Sequence, residues 1–138
     1  MTHHQLTASN GTTVTIEIAK GQSGWQAQTH IELGDKRVLT IRTSKSAHAA
    51  GLRTNASVCI VEGHMQRHVL GFGITGDFRQ DVLVTPTARV TEKAVREQHE
   101  RFLSAPCALT DLLARIEAHY VAQAQHKAAE ARNEVAHA

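Results

Sequence analysis

The stretch Trp25-Gln26-Ala27-Gln28-Thr29-His30-Ile31-Glu32-Leu33-Gly34-Asp35-Lys36-Arg37-Val38-Leu39-Thr40-Ile41-Arg42-Thr43 decides the fold class. In its first half Trp25, Ala27, Ile31 and Leu33 alternate with polar residues, which puts them on one face of a period-two strand. In its second half Leu39 and Ile41 do the same. Between the halves stands Gly34-Asp35, a short connection whose leading glycine suits a type II′ turn. The whole therefore reads as an antiparallel hairpin.

The device repeats on both sides. Upstream, Thr13-Val14-Thr15-Ile16-Glu17-Ile18 turns Val14, Ile16 and Ile18 to one face, and Lys20-Gly21-Gln22-Ser23-Gly24 supplies a turn. Downstream, Gly63-His64 separates a run over 56–62 from one over 65–72, and Gly76-Asp77 separates its continuation from 78–85. Three glycine-led turns at such intervals predict a meander of about six antiparallel strands over 12–85. The stretch 44–55, with Gly51 among small polar residues, reads as the longest loop.

After Pro86 the apolar period lengthens to about 3.6 residues. Thr91 is placed to cap a helix with Val95, His99, Phe102 and Leu103 on one face, and with Glu92–Arg96 and Glu97–Arg101 as oriented pairs on the other. Ser104 is read as the cap of a second helix, with Pro106 in its first turn. There Leu109, Leu112, Leu113, Ile116 and Tyr120 form one stripe. Past Val121 the stripe thins into alanines among polar residues, so the last turns are expected to project or to meet a partner. The class is α+β, a meander followed by two C-terminal helices over 91–135.

The 138 residues suit one domain that buries a modest core. Hydrophobic residues are 41% and charged residues 20%, too apolar for wholesale disorder and too polar for a membrane protein. The start, Met1-Thr2-His3-His4-Gln5, lacks the pattern of a secretory signal, so a cytoplasmic location is expected. Cys59 and Cys107, far apart and without CxxC spacing, are read as reduced, buried thiols.

Known chemical signatures are weak here. Ten histidines invite a metal site, but His64 and His68 would lie about 13 Å apart along a strand, and His3 and His4 are expected to be flexible. His119, His126 and His137 fall on or beyond a polar helix. No nucleophile elbow or paired base accompanies either cysteine. Gly71-Phe72-Gly73-Ile74-Thr75-Gly76 has the spacing of a dinucleotide fingerprint but precedes a strand instead of a helix, so a bulge and a turn account for it better. No enzyme and no cofactor are expected.

Charge is the feature that remains. Net charge is +2, yet residues up to Thr75 carry seven Lys/Arg against four acids, and residues 36–61 include no acid at all. Lys36, Arg37, Arg42, Lys45 and Arg53 could follow a phosphate backbone, with Trp25 or an outward Phe72 stacking on bases. The expected function is single-stranded, non-sequence-specific nucleic-acid binding, set against an ordinary solvated charged face. The other expectation is a homo-oligomeric interaction module that uses the C-terminal helix and the sheet edges.

Overall fold

The computed structural model describes residues 2–22, 24–46, 50–62, 65–67, 78–86 and 89–137, with side chains described outside 60–67 and 133–137. The strands are β1 (Thr2–Thr7), β2 (Thr13–Gly21), β3 (Gly24–Gly34), β4 (Arg37–Lys45), β5 (Leu52–Glu62), β6 (Met65–Arg67) and β7 (Arg79–Thr85), and the helices are α1 (Glu92–Ser104) and α2 (Ala108–His137). The strands run as an antiparallel meander from β1 to β6, and β7 returns to pair with β5. The α+β class read from the alternation is what the chain adopts.

One face of the sheet carries the core. Val14, Ile16 and Ile18 of β2, Ala27 of β3, Leu39 and Ile41 of β4, and Leu52, Ala56 and Val58 of β5 are buried there. Helix α1 seats Val95, Phe102 and Leu103 on this face, and α2 adds Leu109, Leu112 and Ile116. Leu113 and Tyr120, expected in the same stripe, are only partly buried. Burial lapses beyond them: Val121 is 49% exposed. At 1.5 Å per residue the 30 residues of α2 span about 45 Å, so its distal turns reach past the part that packs.

Several local expectations are corrected. His3 and His4 belong to β1, which pairs along β2 from Thr2↔Ile18 to Thr7↔Thr13, so the sheet starts one strand earlier than the alternation showed. The β3–β4 turn is centred on Asp35 and Lys36, both at positive φ (52° and 62°), the type I′ pattern; a register shift between Glu32 and Gly34 moves the turn one residue along. The loop expected over 44–55 is shorter, because β4 runs to Lys45 and β5 starts at Leu52. Glu62 pairs with Met65 across Gly63 and His64, and those two, His68, Phe72 and the glycines of 71–76 lie outside the described residues. The stretch 78–85 was expected to fold back on 65–72; β7 instead lies along β5, from Leu52↔Thr85 to Ser57↔Arg79.

The helix boundary also moves. Thr91 caps α1 as read, its Oγ1 accepting from the Ala94 N–H at 3.1 Å. The ion pairs along α1 are Lys93–Glu97 and Arg96–Glu100. Ser104 ends α1 and does not start α2. Ala105 precedes Pro106, whose ring disfavours helical backbone before it, and Ala105 is accordingly extended at ψ 135°. The chain then reverses through Cys107 at φ 63°, and α2 begins at Ala108.

Gly51 closes the β4–β5 connection, where the Ser46 N–H donates to its carbonyl at 3.1 Å. Its φ is 128°, and an added Cβ would lie 2.0 Å from the Thr85 carbonyl oxygen of β7. Gly51 thus joins a backbone that only glycine adopts freely to a close approach between strands. Gly51→Ala is expected to cost at least about 2 kcal/mol in urea unfolding, from strain and displacement of β7 together.

Candidate functional site

Among the described residues, no helix covers the second face of the sheet. The pairings place one polar row across six strands, His3, Glu17, Gln28, Arg42, Asn55 and Asp81 in order. A parallel row holds His30, Thr40, Ser57 and Arg79, and another Ser44, Arg53 and Val84. Within them the Asn55 amide donates to Asp81 at 3.3 Å, Arg53 approaches Asp81 at 3.5 Å, and His30 Nδ1 lies 3.1 Å from Thr40 Oγ1. Cys59, buried on this side, lies 3.5 Å from the Val38 carbonyl. Its counterpart Cys107 is exposed, contrary to the expectation of two buried thiols.

The six residues expected to form a nucleic-acid surface do not share a face. Arg42 and Arg53 lie on the open face, in adjacent rows of β4 and β5. Arg53 stands inside strand β5 and Lys45 at the end of β4, neither in a loop. Lys45 pairs with the buried Leu52 and so has the parity of the helix-covered side. Arg37 has the same parity, and its guanidinium lies 3.7 Å above the centroid of the Tyr120 ring in α2. Trp25 packs against the core on that side with Lys20 over its ring, and Lys36 occupies the strained turn. On the open face the described side chains Arg42, Arg53 and Arg79 are interleaved with Glu17, Glu32 and Asp81, so its charges nearly cancel.

The alternation concealed a polar cluster on the covered face. Thr29, Thr43 and Thr54 sit at inward positions of three neighbouring strands and are fully buried beneath Gln98 and His99 of α1. His99 Nε2 lies 2.8 Å from Thr29 Oγ1, and its Nδ1 lies 2.9 Å from Thr43 Oγ1. Thr43 and Thr54 hydroxyls are 2.8 Å apart, and the Gln98 amide donates to Thr54 at 3.1 Å. One direction of donation satisfies the chain: Gln98 to Thr54, Thr54 to Thr43, Thr43 to Nδ1, and Nε2–H to Thr29. A neutral imidazole meets both threonines in either tautomer, one ring nitrogen donating and the other accepting.

Burial lowers the His99 pKa from 6.5 to about 4, with no carboxylate in the cluster to offset it. Threonine at an inward strand position opposite a helix histidine is the sequence signal for this arrangement, and only the strand register reveals which threonines meet. The cluster is sealed, so it can order a helix on a sheet but offers a substrate no access. Among the described residues, no group of three His, Cys, Asp or Glu is placed to hold a metal ion, and no helix is long and apolar enough to cross a membrane. No protein-family model matches the chain, nor does any curated protein or solved structure.

A histidine whose folded pKa lies below its unfolded value binds its proton more readily in the unfolded chain. Its contribution to stability is complete above about pH 6.5 and is lost as pH falls toward about 4. The expected loss is about 3 kcal/mol across that window, at 1.36 kcal/mol per unit. Urea unfolding between pH 7 and 4 measures it, and ring NMR shifts of His99 should show no protonation until about pH 4.

Proposed function

We propose that this protein is a non-enzymatic interaction module that associates with a second copy of itself through the distal part of α2. The observation that carries this reading is the helix beyond Tyr120. There Val121, Ala124, Ala128 and Ala131 are all exposed and follow spacings of three, four and three residues. Such a seam, alternating steps of three and four residues, lets two helices pack along one another, and alanines allow a close approach. In a parallel pair Lys127 would face Arg132 of the other copy, like against like. An antiparallel pair sets Gln125 beside Arg132 instead, so the charges favour that orientation.

Nucleic-acid binding is the second reading, favoured by Arg42, which stands mid-row on the open face with its Nε buried and unbonded. The near balance of charge on that face and the packing of the partly buried Trp25 against the core on the other side weaken it.

Light scattering of the full chain should report a concentration-dependent dimer, and Ala128→Glu should return it to monomer with an unchanged melting temperature. A wild-type chain that stays monomeric at its highest soluble concentration overturns the proposal. Labelled single-stranded DNA, titrated at low and high salt, tests the second reading: salt-sensitive binding lost on joint replacement of Arg42, Arg53 and Arg79 by Gln would favour it.

A further inference from the structure

The geometry points to a small-molecule site between α2 and the β3–β4 hairpin, one that takes a free α-amino acid with an apolar side chain. A cavity of about 230 Å³ there is lined by Leu33, Arg37, Leu113, Ile116, Glu117 and Tyr120. The α2 members fall at i, i+3, i+4 and i+7, so one helix face supplies an apolar floor and a carboxylate together. Leu33 and Arg37 enter from opposite ends of the tight turn that holds Asp35 and Lys36 at positive φ.

Three features specify the ligand class. The volume corresponds to about eight molecules of water at roughly 30 Å³ each, which suits a ligand of eight or nine non-hydrogen atoms. Stacking on Tyr120 holds the Arg37 plane and leaves its N–H edge for other partners, the geometry that takes a carboxylate through two parallel hydrogen bonds. Among the described residues, neither Arg37 nor Glu117 has an ion-pair partner, so the cavity carries one cation and one anion that do not neutralise each other. A free amino acid places carboxylate, ammonium and apolar group on a single carbon. Arg37 would take the carboxylate, Glu117 the ammonium, and Leu33, Leu113 and Ile116 the side chain.

This site is independent of the helix seam. The test is a two-dimensional amide NMR titration of the full chain with L-leucine, together with N-acetyl-leucine, which lacks the ammonium, and leucinamide, which lacks the carboxylate. Saturable shifts are expected around Leu33, Arg37, Leu113 and Glu117, with a Kd on the order of 1 mM for so small a ligand. Arg37→Gln and Glu117→Gln should each weaken leucine at least about tenfold, the size of one charge-assisted hydrogen bond, and each truncated analogue should bind correspondingly more weakly to the wild type. Arg37→Lys, which keeps the charge but loses the fork, should fall between. The assignment is overturned if no saturable shift occurs near the cavity, if N-acetyl-leucine binds as tightly as leucine, or if both Gln variants, with spectra otherwise unchanged, bind leucine normally.

Discussion

The hydrogen-bonded chain through Gln98, Thr54, Thr43, His99 and Thr29 is the constraint on which the rest of this structure depends. Around it, Val95, Leu103, Ala27, Ile41 and Ala56 are fully buried, but apolar contact is non-directional and tolerates sliding. Hydrogen bonds do not. Moving α1 by one turn would separate His99 from both threonines and leave buried donors and acceptors unpaired, at about 1–3 kcal/mol each. The cluster therefore sets the register of α1 on the sheet. That register fixes where Ala105 and Pro106 turn the chain, and hence where α2 crosses the β3–β4 hairpin.

The sequence made the main architecture legible because alternation and glycine-led turns are local signals. Val14, Ile16 and Ile18, and Leu39 with Ile41, read correctly as one face since each strand covers a core on a single side. The misses have a common physical origin in information carried by partners. β1 shows little apolar alternation, as only Leu6 packs against the core, and its strand state comes from pairing with β2. The pairing of β7 with β5 is likewise set by strands far apart in sequence. Thr29, Thr43 and Thr54 are polar, so a search for apolar residues passes over them even though each faces inward. The I′ turn departs from the local signal because Gly34 occupies the position before the two central residues, Asp35 and Lys36, and not the first of them.

Strand parity alone divides the charged stretch between the two faces of the sheet. Arg37 and Arg42 stand five apart on one strand, and Arg42 and Lys45 three apart. An odd separation sends side chains to opposite faces of a strand. A run of cations along a strand is therefore divided between two faces, and of the expected cations only Arg42 of β4 and Arg53, one row away on β5, share the open one. Cross-strand neighbours then decide the field, and here they bring Glu17 and Asp81 into the same row.

What becomes of Arg37 shows how a charge can be withdrawn from one role and fitted to another. A guanidinium stacked on Tyr120 has its stem and one face against protein, an interaction worth about 0.5–1 kcal/mol at an exposed site and more when desolvated. Tracking a flexible phosphate chain requires a mobile cation in a continuous positive field, and Arg37 has neither, since Glu117 lines the same cavity. A fixed plane beside an apolar floor favours a compact ligand with a carboxylate at a defined distance from its hydrocarbon part. A side chain that by sequence belongs to a basic run is thus held in a geometry that discriminates by shape, and the aromatic residue that holds it belongs to the helix positioned by the buried histidine.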